Sequence, residues 1–426
     1  TKLLTSKNKV IGNNMKEILP AKVHKLFHQA QLRVLKNKQV EMVEYTIEEL
    51  ERTIFYEARI VPMNAKKLLT KMNYQIYCYS IMKNIMKLAS IALVLLFTLF
   101  GLTNKASAAK LTMYCSVEID VCEMLEQAYE KETGTKVAMT RASSGETFAK
   151  IKAESSNPKG DVWFGGTGDP HLTAAQENLT AEYKSKHFND LLPAAQNQAV
   201  NANYKSVGIY VGALGFGYNK ELLAKKGLPA PKSWMDLTKP IYKGEIQIAN
   251  PNSSGTAYTT LATIIQIFGE DKGWDYMKAL HLNVNTYTKS GSAPIKATGR
   301  GENLIGICFQ HDGVKQTKKG LPVVTVSPAE GTGYEVGSMS IIAGARNMKE
   351  AKKFYDWALS PPIQTMVFTS GKSLQVPSNT KAQADPDAPD LSTINLIDYN
   401  FKVYGEKSTR AGLLSKWDND VSVIPR

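Results

Sequence analysis

The stretch KLTMYCSVEIDVCEMLEQAYEKETGTKVAMTRASSGETFAKIKAESSNPKGDVWF, residues 110–164, decides the fold class. Residues 110–115 read as a short apolar strand. Over 121–133, Cys122, Leu125 and Tyr129 recur at three- and four-residue spacing, the period of one helical stripe. Residues 136–140 form a second strand, a helix begins at Gly145, and 161–164 form a third strand. Strand, helix, strand, helix, strand in that order makes a mainly parallel sheet with helices on both faces, because a parallel return needs a crossover element.

Downstream, residues 207–218 are apolar, Gly-rich and without helical periodicity, which suits an extended crossing between two lobes. A second set follows: strands at 245–249, 304–309 and 323–326, with a helix at 255–268. Residues 337–343 read as an extended return, and 349–359 and 361–369 as helices packing on the first lobe. No internal repeat is present. The expected fold is α/β with two lobes, each a mixed, mainly parallel sheet with flanking helices, joined by a hinge of crossing strands. One lobe takes 109–212 and 335–380, the other 213–334 and 381–426. A cleft then lies at the carboxyl ends of the strands, where ligands bind in open sheets.

Upstream, Met82-Lys83-Asn84-Ile85-Met86-Lys87 is a basic start, Ala89 to Leu102 is almost continuously apolar, and Ala106-Ser107-Ala108 offers small residues for cleavage. This is the pattern of a secretory signal peptide over 82–108, too short and wrongly flanked for a membrane span. No Cys follows the apolar run, which argues against a lipid anchor. The mature chain is expected to begin near Ala109 and to be soluble. Residues 1–81 are expected to be upstream sequence, with Met82 or Met86 as the start. A genuine extension with helical patches such as 40–60 is the alternative.

Charge follows the same division. The chain carries a formal +13, but residues 1–81 hold 14 basic and 7 acidic residues, whereas 110–426 hold 35 and 32. The folded body is close to balanced, and a nucleic-acid partner is set aside on that ground. Export permits disulfides. Cys115 and Cys122 bracket a strand-to-helix turn at a spacing that closes a small loop, with a reduced pair as the alternative. Neither the Cys spacing nor the His residues point to zinc, and no cofactor or metal is expected.

Two loops have the composition of an anion grip. Arg141-Ala142-Ser143-Ser144-Gly145-Glu146-Thr147 joins a strand to a helix, and Asn250-Pro251-Asn252-Ser253-Ser254-Gly255-Thr256 repeats the arrangement in the second lobe. Hydroxyls and Gly at a helix start let N–H groups approach an anion, which the helix dipole also favours. Plain helix capping is the alternative reading of each loop. Gly165-Gly166-Thr167-Gly168-Asp169 follows the third strand, with Thr167 free to donate a hydrogen bond; an ordinary turn is its alternative. Gln310-His311-Asp312 ends a strand and Glu335 precedes the return crossing. His311, Asp312 and Glu335 suit sugar hydroxyls or a metal, with a structural ion pair as the alternative. His171, His187 and His281 sit in polar surroundings and read as surface residues.

Enzyme signatures are missing. There is no Gly-x-Ser-x-Gly elbow, no phosphate-binding loop ending in Gly-Lys-Ser/Thr and no His-Glu-x-x-His helix. A glycosidase would need Asp312 and Glu335 as its carboxylate pair, and nothing else supports one.

The segments Asp161-Val162-Trp163-Phe164, Gly217-Tyr218-Asn219-Lys220, Ser233-Trp234-Met235-Asp236-Leu237, Tyr242-Lys243-Gly244 and Ser254-Gly255-Thr256 occur in that order. Through them, 110–426 resembles type II periplasmic binding proteins of the ferric-ion and polyamine kind. The resemblance implies a hinged protein that closes over its ligand and delivers it to an inner-membrane ABC permease and its ATPase, acting as a monomer in the periplasm and catalysing nothing. Iron binders of this family use a His, a Glu and two adjacent Tyr. Those positions fall here on Glu118, Gly166, His311 and Asp312, so the phenolate oxygens that a hard ferric ion needs are absent. The phosphate-gripping loop is retained as Ser254-Gly255-Thr256.

The match is closer still to the Afu-type branch, through Ser143-Ser144-Gly145-Glu146-Thr147, Gly165-Gly166-Thr167-Gly168-Asp169-Pro170-His171 and Gln310-His311-Asp312-Gly313. That branch implies a hexose phosphate, glucose 6-phosphate or fructose 6-phosphate. The phosphate would be held by Ser143, Ser144, Thr167, Ser253, Ser254, Gly255 and Thr256, and the sugar by His311, Asp312 and Glu335. Another organophosphate such as a phosphonate is the alternative, and ferric iron comes after it.

Overall fold

The structure is a computed structural model that describes residues 41–47, 54–60 and 110–426. Glu41–Ile47 and Ile54–Ile60 pair as antiparallel strands. The helical patches read over 40–60 are thus corrected to strands there, in keeping with the period-two alternation of Val43, Tyr45 and Ile47 with polar neighbours. The leader at 82–108 lies outside the described residues. Among the described residues no helix is long and apolar enough to cross a membrane.

The larger unit opens, as far as residue 164, as the periodicity predicts. Strand β1 (Lys110–Cys115) leads to helix α1 (Ile119–Thr133), β2 (Lys136–Arg141), α2 (Ser144–Ala153), β3 (Val162–Phe164) and α3 (Gly168–Gln176). β1 lies between β2 and β3 and is parallel to both. Strand β4 (Val207–Asn219) then runs through both halves of the molecule. After it come β5 (Ile246–Ala249), α4 (Gly255–Phe268), α5 (Glu270–Asn283), β6 (Val284–Thr288), α6 (Ala293–Arg300), β7 (Ile305–Phe309), α7 (Gln310–Lys318) and β8 (Val323–Val326). The return strand β9 (Tyr334–Ile342), helices α8 (Met348–Ala358) and α9 (Pro361–Thr369), and the late helix α10 (Lys407–Asp420) complete the fold. α3, α5, β6, α6, α7 and α10 are elements that the sequence reading does not include.

The strand order is β2-β1-β3-β9-β4-β7-β5-β6. The first half of β4, Val207 to Ala213, pairs antiparallel with β9. Its second half, Leu214 to Asn219, pairs with β7 and β8. One strand therefore leaves the first sheet and enters the second, the crossing that 207–218 was read to make. Two separate cores flank it. One gathers Leu111, Met113, Tyr129, Met339, Phe354 and Phe368; the other Phe216, Trp234, Ile246, Leu261, Trp274 and Trp417. Each such side chain contributes roughly 1.5–3 kcal/mol on full burial, so each lobe has its own source of stability. α8 places Ala351, Phe354, Tyr355 and Ala358 in the first core, at helical spacing.

Cys115 at the end of β1 and Cys122 in the first turn of α1 are joined by a disulfide. Two histidines depart from the sequence reading. His171 is fully buried, stacked on Trp163 with ring centroids 3.6 Å apart and hydrogen-bonded to Ser340 and the Gly165 carbonyl. Burial pushes its imidazole down to about 3. His281 is also buried, between the Tyr287 hydroxyl and the Ile424 carbonyl. Polar neighbours in sequence are no guide to exposure when a helix packs its polar residues inward with partners. His187 is only partly covered.

Candidate functional site

Between the lobes lies a narrow cleft lined by residues of both. It is where helices begin. The residues that line it precede or open α1 (Ser116 to Glu118), α2 (Ser143, Ser144), α3 (Gly166, Thr167), α4 (Ser254 to Thr256), α6 (Ser290 to Ser292) and α7 (Phe309 to Asp312). A helix start carries N–H groups with no intrahelical partner and a partial positive charge. Six of them facing one cleft make a region that favours an anion.

One side of the cleft is built of small hydroxyls. Thr167 Oγ1 is buried and has no hydrogen-bond partner within the described residues, whereas buried Ser143 forms a capping box with Glu146 at the start of α2, its N–H donating to Glu146 Oε2 at 3.2 Å. Ser144 Oγ accepts from the Thr167 N–H at 3.3 Å, and Ser254 Oγ caps α4 by accepting from Ala257 N–H at 3.4 Å. Arg141 donates to the Val117 carbonyl at 3.0 Å and to Ser290 Oγ at 3.4 Å, bringing a cation to the same side. Gly166 has φ +86°, and a Cβ there would meet Ser144 Oγ at 2.4 Å. Only glycine suits both the left-handed backbone and the close approach.

The other side is acidic. Gly212 on β4 leaves room for His311 and Glu335: a Cβ on it would lie 2.8 Å from His311 Nδ1 and 3.3 Å from Glu335 Oε1. Burial pushes the Glu335 carboxyl well above its ordinary value, and the charges of Asp312 and Asp169 add to that. Burial, then the charge of Glu118, raises Asp312 to about 7. His311 lies 3.8 Å from Asp312, yet burial lowers the imidazole to about 3, so the two do not form an ion pair. His311 Nδ1 is buried without a hydrogen-bond partner among the described residues. Tyr210, whose hydroxyl accepts from the Gly166 N–H at 3.1 Å, stands between the two sides.

Contacts between lobes close the cleft. Gly145 N–H donates to the Ser253 carbonyl at 2.9 Å. Glu118 pairs with Lys296, and Asp120 with Lys315 at 3.2 Å. Burial works against the charge on Glu118, but the attraction and hydrogen bond of Lys296 hold its carboxyl at about 2.

Nine residues singled out from the sequence meet at this cleft: Ser143, Ser144, Thr167, Ser254, Gly255, Thr256, His311, Asp312 and Glu335. Ser253 does not. Its hydroxyl turns to the carbonyls of Asn250 and Lys289, and its own carbonyl serves the lobe contact. The Gly145 N–H is likewise used by that contact and does not face a ligand. Gln310, His311 and Asp312 open helix α7 instead of ending a strand, since helical hydrogen bonding starts directly after Phe309. Glu335 lies inside β9, not before it. The sequence reading missed Ser116, Tyr210, Ser290, Ser292 and Gln375. Ser290-Gly291-Ser292 before α6 repeats the Ser-Gly signal of the other two loops and was open to recognition; Tyr210 and Gln375 carry no local signal.

The profile of bacterial extracellular solute-binding proteins matches residues 165–402. An uncharacterized protein of Haemophilus influenzae is 44% identical over 336 residues, which cover 78% of this chain and 97% of that protein. Among solved structures, the periplasmic binding protein AfuA of Actinobacillus pleuropneumoniae, with exogenous fructose-6-phosphate bound, is 44% identical, with a TM-score of 0.73, covering 75% of this chain and all of AfuA. Iron-bound HitA of Pseudomonas aeruginosa, 20% identical with a TM-score of 0.62, covers 72% of this chain and 99% of its own and shares the fold. A two-lobed α/β fold with a cleft between the lobes, a profile match over more than half the chain and a relative matched along nearly its whole length lead to one conclusion: the chain belongs to the family of bacterial extracellular solute-binding proteins.

Proposed function

We propose that this protein is the periplasmic binding component of an ABC importer and captures a hexose phosphate, glucose 6-phosphate or fructose 6-phosphate, between its lobes. The observation that carries the reading is the two-sided cleft. Helix starts and the Thr167 hydroxyl, partnerless within the described residues, suit a phosphate, while His311, Asp312 and Glu335 suit sugar hydroxyls. The fructose 6-phosphate in AfuA supports the same ligand class. Hydrogen bonds to charged groups in a closed cleft contribute roughly 1.5–3 kcal/mol each, so a ligand touching both sides stabilises the closed state by contacts that the open state lacks. The closed form is then handed to a permease and its ATPase. The protein acts as a monomer, after removal of its leader, and turns nothing over.

Thermal unfolding of the purified protein tests the reading, with glucose 6-phosphate, fructose 6-phosphate, glucose, inorganic phosphate, 2-aminoethylphosphonate and ferric citrate as additions. A ligand that binds only the folded state raises Tm by mass action. The expected result is a shift of several degrees with a hexose phosphate and little with glucose or phosphate alone. A shift confined to ferric citrate or to the phosphonate would replace the proposed ligand.

A further inference from the structure

Helix α10 carries one basic side chain that is not at the surface. Arg410 is 7% exposed, and its guanidinium lies over two rings, 5.3 Å from the centroid of Phe148 and 5.1 Å from that of Tyr258. Its charge also acts on buried Asp169, whose carboxylate accepts from the Tyr399 hydroxyl at 3.3 Å. These three neighbours belong to three different helices. Phe148 is on α2, Asp169 on α3 and Tyr258 on α4, and all three helices start at the cleft. Counted from Ser144, Gly168 and Gly255 at 1.5 Å per residue, each neighbour sits within about 6 Å of its helix start.

The chain around Arg410 is tied to both lobes. The Gly405 carbonyl accepts from Thr173 Oγ1 on α3 at 3.1 Å, and the Lys407 N–H donates to Gln176 at the end of the same helix at 2.8 Å. The Tyr404 carbonyl accepts from the Tyr258 hydroxyl on α4 at 2.6 Å. A buried cation is costly, and Arg410 Nε has no hydrogen-bond partner within the described residues. A planar guanidinium lies flat against two rings at once, which an ammonium does not.

We propose that Arg410 is the positioning residue of the anion cradle, one buried guanidinium that holds the starts of α2, α3 and α4 aimed at a common point across the two lobes. It touches no ligand. Its effect comes through the helix starts, whose N–H groups and partial charges act only where they point. The inference rests on the anion-binding reading of the cleft.

Calorimetric titration of the full chain with glucose 6-phosphate and fructose 6-phosphate tests it, alongside the unliganded melting temperature. Arg410→Gln is expected to weaken binding about tenfold or more while that melting temperature stays within a few degrees. Arg410→Lys is expected to recover part of the loss, a rescue that a simple packing role would not require. Binding by Arg410→Gln within twofold of the parent overturns the proposal. If Arg410→Gln does not fold, Phe148→Leu decides: about threefold weaker binding, restored by Phe148→Tyr, supports the role, and unchanged binding removes it. If the parent binds neither sugar phosphate, the functional reading has failed, and the same variants are compared with inorganic phosphate as the probe. Binding of none of the three ligands by the parent overturns both.

Discussion

Asp312 is a carboxylate that the fold covers almost completely, and burial, followed by the charge of Glu118, raises it to about 7. Lys296, Lys315 and Arg141 act in the opposite direction without reversing the shift. The unfolded chain gives this group a value near 4. Between about pH 4 and pH 7 the folded state therefore keeps a proton that the unfolded state has released. The stabilisation is complete below about pH 4 and is lost as pH rises through 7. In Asp312→Asn this slope, up to about 1.4 kcal/mol per pH unit, is removed. Denaturant unfolding at pH 5 and pH 8 should show a smaller loss of stability on alkalinisation in the variant than in the parent. The same substitution, or Asp312→Ala, should weaken hexose phosphate binding at least about tenfold while folding survives. Unchanged affinity would take Asp312 out of the sugar side.

At the scale of elements, closure depends on how near two helix starts approach each other. Gly255 opens α4, and a Cβ on it would lie 2.1 Å from Thr167 Oγ1 and 2.9 Å from Ser144 Oγ, both on the opposite lobe. Thr167 is β-branched and buried, so it has little room to yield. A contact between opposite lobes is lost when hinged lobes separate. Gly255→Ala should thus leave the unliganded melting temperature within about two degrees of the parent and weaken sugar phosphate binding about tenfold or more. A variant that binds normally would mean that the lobes close less tightly than this structure shows. The signal for this glycine was legible in the sequence as part of Ser254-Gly255-Thr256. The partner that makes it necessary was not, because Thr167 is remote in the chain.

For the molecule as a whole, the two lobes are bridged by the pairs Glu118 with Lys296 and Asp120 with Lys315. All four residues come from helices or helix caps of opposite lobes, so both pairs exist only when the lobes are together. Exposed pairs contribute little and are screened within about 10 Å at 0.1 M salt, but Lys315 is nearly buried. Such contacts act on opening more than on encounter. Lys296→Gln should raise the ligand dissociation rate severalfold and leave the association rate within about twofold, as read by stopped-flow fluorescence. An equal change in both rates would assign Lys296 to ligand capture instead of to the closed state.

The sequence by itself determined the architecture, because the two hydrophobic periods state where strands and helices run and which stripe of α1 or α8 turns inward. It also determined most of the cleft, since Ser-Ser-Gly and Ser-Gly-Thr at helix starts are local chemistry. Only the tertiary structure decided what those starts meet. It turned Ser253 and the Gly145 N–H from ligand groups into a lobe contact, buried His171 and His281, and brought Tyr210, Ser290 and Gln375 to the same cleft. It also set Arg410 beneath three helices that begin more than a hundred residues apart at the extremes. The reason is physical: periodicity records which face of an element is apolar, whereas convergence of loops follows from how sheets twist and lobes close, and no local pattern encodes that.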